Sequence, residues 1–463
     1  ASKGKQGYLY HGKPARPGRE QRYRGPTMLR GVRDGGVDGG TNRMVLLHPS
    51  CLVPTINVMI GNRFKIIHDS VHGSIKVEEP LLSILELPEV QRMSNVRQLG
   101  LNYLVFPGAN HTRLEHSLGV AHVAGEIGKN LNLKNEENIL LKVSGLLHDI
   151  GHPPFSHALE DFIYKKSGLT HEDVGEKIIR GEIKLIDDYY ERNHSLYEIL
   201  EKNGIDSRQI ISIIKYNKRK MGFNEHNYLG EIISGNLDAD QLDYLLRDSH
   251  YTGVAFGIID IQRIYNTIKL LNKEIVFDIK GKEALEGVMV ARSLMYSSVY
   301  FHKTARIAEL MVVRALEKID ADPIKIFSMN DSELISLLIN SYGFPREVGL
   351  RIKYRNLFKK ALIIEEIDES FKKININKIE REIAEEAGIP EEYVIIDAPF
   401  NLIDRFSGLD VNILKDGKIS RLSSESRLVK AIRSRKPIDY DLMVITKKEY
   451  VEIVGKISKK ILV

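Results

Sequence analysis

The chain has 463 residues, 43% hydrophobic and 28% charged, which is enough apolar content to bury a sizeable core in two or three structural units. No run of about 18 apolar residues occurs, which excludes a membrane-spanning helix, and the Gly- and Arg-rich start lacks the apolar segment that a secretory signal needs. The single cysteine, Cys51, cannot form an internal disulfide; it fits a reducing compartment and predicts a cytoplasmic protein.

The net charge of +5 is unevenly placed: the first 50 residues hold ten Lys and Arg against three Asp and Glu, so the rest of the chain carries −2. With ten glycines in the same 50 positions and no periodicity, residues 1–58 are expected to form a disordered basic tail. Two readings of it stay open, a nucleic-acid-binding arm and a merely solvated segment. Patterned sequence begins at "NRFKIIHDSVHGSIKV", whose alternation predicts a short hairpin. From residue 80 to about 320 the pattern is helical. In "NEENILLKVSGLLHDI" the residues Ile139, Val143, Leu146, Leu147 and Ile150 share one face, and Gly151 with Pro153 and Pro154 stops the helix. A β-like piece, "EIVFDI", precedes a long helical stretch over roughly 283–318. Residues 321–463 change character: helices such as "INKIEREIAEEAG" alternate with the β-rich runs "EYVIIDAP", "DVNILKDGKIS" and "DLMVITKKEYVEIV". This predicts a mainly α fold, a helical core over 59–320 followed by a smaller α+β region, with a hairpin turn at the "DG" of 416–417.

The chemistry concentrates in "LLHDIGHPPFSH", where three histidines and an aspartate follow an apolar run. His148 and Asp149 are neighbours at a helix end, where both can point at one place beyond it. "HTRLEHSLGVAHVAG" supplies His111, Arg113, His116 and His122, and "GNLDADQLDYLLRDSHYTG" sets Asp240, Tyr244 and Asp248 on one helical face. The series His116, His148, Asp149 and Asp240 offers two imidazoles and two carboxylates, a donor set for Mg²⁺, Mn²⁺, Fe²⁺, Ni²⁺ or Zn²⁺ in a phosphohydrolase. No cysteine joins it, which argues against a structural zinc site. Arg113 suits bidentate phosphate contact, and Arg292, Tyr296, Tyr300 and Lys303 fall on one face of the long helix. An isolated His–Asp pair is ordinarily a hydrogen-bonded structural pair; the added His152, His157 and His171 weigh against that reading here, because burying so many rings without partners costs about 1–3 kcal/mol each.

Five segments, "FKIIHDSVHGSIKV", "VRQLGLNYLVFPGANHTRLEHSLGVAHVAG", "GLLHDIGHPPFSHALE", "LDADQLDYLLRDSHYTG" and "YRNLFK", together resemble the deoxynucleoside triphosphate triphosphohydrolases of the HD-domain superfamily. The resemblance covers about 63–360 and continues more faintly to the end; no sterile-alpha-motif domain, such as animal members carry, is present. It implies an HD phosphohydrolase core that binds a divalent metal through His116, His148, Asp149 and Asp240, with Mg²⁺ accompanying the triphosphate. It implies triphosphate contacts from Arg113, His157, Tyr244 and Arg292, and an α-phosphate environment of His152, His157 and His171, with Glu160 orienting a histidine. Gln98 and Asp248 would hold the 3′-hydroxyl, while Leu99 and Tyr244 would crowd the 2′ carbon, and Tyr296 and Tyr300 would line the same pocket. The implied reaction releases deoxynucleoside and inorganic triphosphate, and a histidine, His157 or His171, protonates the departing 5′-oxygen. The family also implies a homotetramer or dimer responsive to a dGTP-type activator, at positions matched by Lys65, Ile66, Glu86 and Gln91. Four positions depart from the pattern: Gln241 replaces a phosphate-binding lysine, Tyr296 and His68 replace a histidine and an asparagine, and Ser94 replaces an arginine that stacks on the activating base. The competing readings are another HD phosphodiesterase, nucleotidase or exonuclease, and a non-catalytic nucleotide or nucleic-acid binder.

Overall fold

The computed structural model describes residues 63–183, 195–216, 228–368, 371, 375–399, 410–436 and 438–463. The expected tail at 1–58, Cys51 within it, and the side chain of His157 lie outside the described residues. The fold is mainly α, with three small sheets.

The expected hairpin forms from β1 (Phe64–Asp69) and β2 (Gly73–Glu78), paired from Phe64 with Glu78 to Asp69 with Gly73. Asp69 closes the turn by accepting from the Val71 and His72 amides at 2.9 and 2.8 Å. The central helix α1 (Arg113–Asn130) starts at a capping box: Thr112 accepts from the Glu115 amide, and the Glu115 side chain accepts from the Thr112 amide. His111 thus precedes the helix. The face predicted from Ile139 onward becomes α2 (Asn135–Leu147), with Val143, Leu146 and Leu147 buried. Full burial of each such side chain contributes about 1.5–3 kcal/mol. His148 is its C-terminal cap, and the chain turns through Gly151 into α3 (Glu160–Ser167) and α4 (His171–Ile179). Asp238 caps α5 (Ala239–Thr252), which packs against α1 through Leu242 and Leu245.

The strands β3 (Ile268–Leu271) and β4 (Glu274–Asp278) form a second hairpin. The long helix expected over 283–318 is two helices, α6 (Lys282–Met295) and α7 (Lys303–Glu317), separated by a wide turn at Tyr296–Tyr300 and a break at Phe301 and His302. No glycine or proline marks the break. Polar side chains take up the backbone instead: Ser297 and Ser298 donate back to the Ser293 and Leu294 carbonyls, Asn102 donates to the Val299 carbonyl, and His302 accepts from the Thr304 amide to cap α7. Lys303 therefore leaves the face of Arg292 and Tyr296 and lies over the Tyr440 ring instead.

Beyond this come α8 (Asp331–Asn340), β5 (Lys359–Ile364), α9 (Ile376–Ala387), β6 (Ile395–Asp397), β7 (Asn412–Lys415), β8 (Lys418–Arg421), β9 (Leu442–Thr446) and α10 (Val451–Leu462). The turn at Asp416 and Gly417 joins β7 to β8 as expected. β7 also pairs in parallel with β4, giving a sheet of order β3-β4-β7-β8, while β9 lies between β5 and β6 in the other. One expectation fails here: "EYVEIV" is not strand but the entry to α10, which turns Val454 onto the sheet. Among the described residues no helix is long and apolar enough to cross a membrane.

Candidate active site

Three helices deliver the cluster. His116 sits in the first turn of α1, His148 and Asp149 at the end of α2, and Asp240 in the first turn of α5. One donor atom each from His116, His148 and Asp149 lies within 4.8 Å of the others. Asp240 Oδ1 joins them at 2.9 Å from His116 Nε2 and 3.8 Å from His148 Nε2, and Asp149 Oδ1 is 3.3 Å from His148 Nε2. Both Nε2 atoms are buried without an aligned hydrogen bond. Two imidazole nitrogens facing two carboxylates form the donor set of a divalent cation, so these residues fit a metal. Asp240 is the open side of the cluster, with 36% of its side chain exposed against 9% or less for the other three.

A further set of residues, not picked out by the sequence reading, fixes the imidazoles. His116 Nδ1 donates to Asp243 Oδ2 at 2.7 Å, and His148 Nδ1 donates to the Gly145 carbonyl at 2.8 Å. An acceptor-only partner places the proton on Nδ1 and leaves the Nε2 lone pair for a cation. Asp243 is itself held by Arg247 at 2.9 and 3.0 Å and by His72 at 2.6 Å, and Arg247 reaches Asp69 at 2.8 Å. The approach is close enough that a Cβ at Gly119 would sit 1.9 Å from Asp243 Oδ1. The one available signal was the spacing of Asp240, Asp243 and Arg247 along α5.

Charge follows this geometry. Burial opposes an imidazolium at His116, but Asp240 and Asp243 outweigh it and push its pKa up to about 10. His148 moves up in the same way, burial being overcome by Asp149 and Asp240. Burial also opposes the Asp149 carboxylate, yet Arg113, His148 and His152 hold its pKa well below the ordinary range. The field at the two imidazoles is cation-stabilising. Arg113 is buried, paired with Asp149 and donating to Ser156 Oγ at 2.7 Å.

Beside it lies a second group. His152 and His171 stack at 3.9 Å, and Glu160 Oε1 is 2.7 Å from His171 Nδ1 and 3.5 Å from His152 Nδ1. Burial, then Arg113 and His171, push the His152 pKa well down, so this ring is neutral. On the other side of Asp240, the Asp248 carboxylate accepts from His111 Nε2 and from the Tyr300 hydroxyl, each at 2.7 Å. Tyr244 and Tyr300 meet edge to face at 5.8 Å, Tyr296 and Tyr300 at 4.9 Å, and Arg292 lies 4.9 Å over Tyr296. Gln98 and Leu99 are half-buried, and the Gln98 backbone N–H donates to the His111 carbonyl. Gln241 does not reach toward the cluster; its amide donates to Asn236 O and Asp238 Oδ2. Of the four regulatory candidates, Lys65 and Glu86 meet at 2.7 Å, Gln91 donates to the Leu85 carbonyl, and Ile66 is exposed.

Residues 113–248 match the HD domain, and residues 259–463 match the HD associated region. The chain belongs to the HD-domain family and is an HD-domain phosphohydrolase. Its relatives include the uncharacterized protein MJ1154 of Methanocaldococcus jannaschii, 36% identical over 402 residues that cover 84% of this chain and 80% of that protein. The deoxynucleoside triphosphate triphosphohydrolase SAMHD1 homolog of Dictyostelium discoideum is 30% identical over 72% of this chain and 66% of its own length. Among solved structures, a phosphohydrolase from Bacteroides thetaiotaomicron superposes with a TM-score of 0.64 at 26% identity, over 83% of this chain and all of that one.

Proposed function

We propose that the chain hydrolyses deoxynucleoside triphosphates to deoxynucleoside and inorganic triphosphate. The observation that carries this reading is the Asp248 carboxylate, two helical turns from Asp240 on α5 and fixed by His111 and Tyr300 beside the Tyr244 ring. It offers an acceptor for a sugar hydroxyl, with an aromatic edge next to it, at the reach of a nucleoside from the metal cluster. The activity named for the Dictyostelium relative supports the same substrate class.

A divalent cation on His116, His148, Asp149 and Asp240 would supply Lewis-acid polarisation of the α-phosphate when bound. The chain's own residues do the rest. Arg113 presents a guanidinium to the phosphate charge. Water adds to the α-phosphorus while the bond to O5′ breaks, and the electron pair leaves on O5′. His152, kept neutral, is suited to take the water's proton, and His171, whose Nδ1 lies 2.7 Å from Glu160 Oε1, or His157 gives one to O5′.

The reading extends to assembly as a homotetramer or dimer that responds to a dGTP-type nucleotide, with Lys65, Ile66, Glu86 and Gln91 at the activator. Separately, a cavity of about 550 Å³ whose lining includes His302, Lys303, Arg355, Lys359, Lys360 and Asp439, and none of these four residues, offers cations that suit a second polyanion. One experiment addresses both parts: purified protein with each dNTP or rNTP and Mg²⁺ or Mn²⁺, products separated by ion exchange. We expect triphosphate from dNTPs and far less from rNTPs, and faster dATP hydrolysis with dGTP present. Equal rates on dGTP and GTP, or pyrophosphate as the product, would sink the substrate reading. A monomer by light scattering whose rate ignores dGTP removes the regulation alone.

A further inference from the structure

The loop that carries His152 and His157 follows a backbone course that L-residues resist. Phe155 and Ser156 both have φ of 54°, consecutive left-handed residues without a glycine. Such a course persists only where its surroundings determine it. The residues that do so come from outside the HD motif. Arg92 donates to the carbonyls of Ile150 and His152, each at 2.9 Å, and to Met329 O at 3.1 Å. Two residues beyond Met329, at the first position of α8, stands Asp331, 2% exposed. Its Oδ1 accepts from the Phe155 amide at 2.9 Å, and its Oδ2 accepts from the Arg97 amide at 3.1 Å. Ser156 Oγ completes the tie by accepting from Arg113 and donating to the Arg97 carbonyl at 3.1 Å.

Asp331 therefore joins two active-site walls that share no helix. One oxygen holds the histidine loop, and the other holds the start of the segment Gln98–Leu99, which faces the nucleoside in the reading above. That segment has its own left-handed residue, Gly100 at φ 51°, where a Cβ would lie 2.9 Å from the Phe155 carbonyl oxygen. The two backbones thus meet directly, and the carboxylate sets their spacing.

We propose that Asp331, in the HD associated region, is a positioning residue for phosphoester hydrolysis: it holds the histidine loop and the 97–100 segment in register, with Arg92 as its companion. The proposal rests on reading that loop as the catalytic one. It gives the associated region a part in the site, since a carboxylate 176 residues from Phe155 and 234 from Arg97 completes the loop's hydrogen bonding.

The test compares wild type, Asp331→Asn and Asp331→Ala, each as the full chain. An asparagine keeps one acceptor for the Phe155 amide but turns a donor toward Arg97, so it keeps part of the function and the shape. We expect kcat on dGTP to fall about 100-fold in Asp331→Ala, the scale of a 1 Å misplacement, and about 10-fold in Asp331→Asn. The metal bound per chain should stay at the wild-type value, and KM should change less than kcat. Hydrogen exchange should quicken in 96–100 and 150–158 and stay unchanged in α1 and α5. A folded Asp331→Ala with wild-type kcat, or with exchange altered evenly through the chain, would overturn the proposal. So would loss of activity matched by loss of metal. If wild type does not hydrolyse dNTPs, the substrate reading fails, and the exchange pattern alone decides this one.

Discussion

Asp240→Ala is expected to lower phosphohydrolase activity by about 10³-fold or more, because a metal's Lewis-acid contribution is worth several kcal/mol. Asp240 is the half-open member of the cluster, so its loss removes a donor without opening a hole in the core. The fold should survive, and bound metal measured by mass spectrometry should drop with the activity. Asp243→Asn should act through His116 instead. An asparagine leaves one oxygen where two now serve His116, His72 and Arg247, so the ring's tautomer is held less firmly, and metal affinity should fall about 10–100-fold while saturating metal restores most of the rate. Acid should imitate the weaker binding. His116 has a pKa of about 10, so below that value a cation must displace its proton, and affinity should decline as pH falls from 8 to 6. Equal metal occupancy in wild type and Asp240→Ala would remove this site from the chemistry.

The residues that hold this cluster differ in how far a sequence can show them. His148 and Asp149 are adjacent, and Asp240, Tyr244 and Asp248 are one turn apart, so local periodicity places them. Their chemistry gathered the segments that bear them into one donor set, and the family resemblance then implied the same four ligands. Asp243 and Arg247 were in plain view on the same helix, yet an i, i+4 acid–base pair reads as an ordinary surface pair until Asp69 and His72 are seen to bury it. Asp331 could not be read at all, since nothing local connects it to Arg97. The helix elements followed their apolar spacing except where polar side chains took over. Ser297, Ser298 and His302 interrupt the long helix by bonding to backbone, an event without a breaker residue. "EYVEIV" misled for a different reason: a short run with three β-branched residues and two acids three apart can be read with either period, and packing of Val454 against the sheet decides for helix.

Asp248 should decide which sugars are accepted. Both of its oxygens are already engaged, one by His111 and one by Tyr300, at 2.7 Å each. An oxygen has a second lone pair, so the carboxylate can accept from a 3′-hydroxyl without releasing either partner. It is a fixed acceptor, and a substrate lacking the hydroxyl leaves it partly unpaired in a buried place. Sites built this way reject the deficient analogue by up to about 10⁴–10⁵-fold, far more than an apolar pocket can achieve. We therefore expect 2′,3′-dideoxynucleoside triphosphates to be hydrolysed at least about 100-fold more slowly than dNTPs, a loss of one charge-assisted hydrogen bond. In Asp248→Asn that gap should shrink, mostly because the dNTP rate falls. Tyr244→Ala should behave differently: in the proposed reading the ring occupies the sugar edge rather than bonding to it, so its removal should raise the rNTP rate relative to dNTP. Measuring kcat/KM for dGTP, GTP and the dideoxy analogue in the three proteins separates the two roles. Asp248→Asn with an unchanged dideoxy gap would show that the carboxylate does not face the sugar.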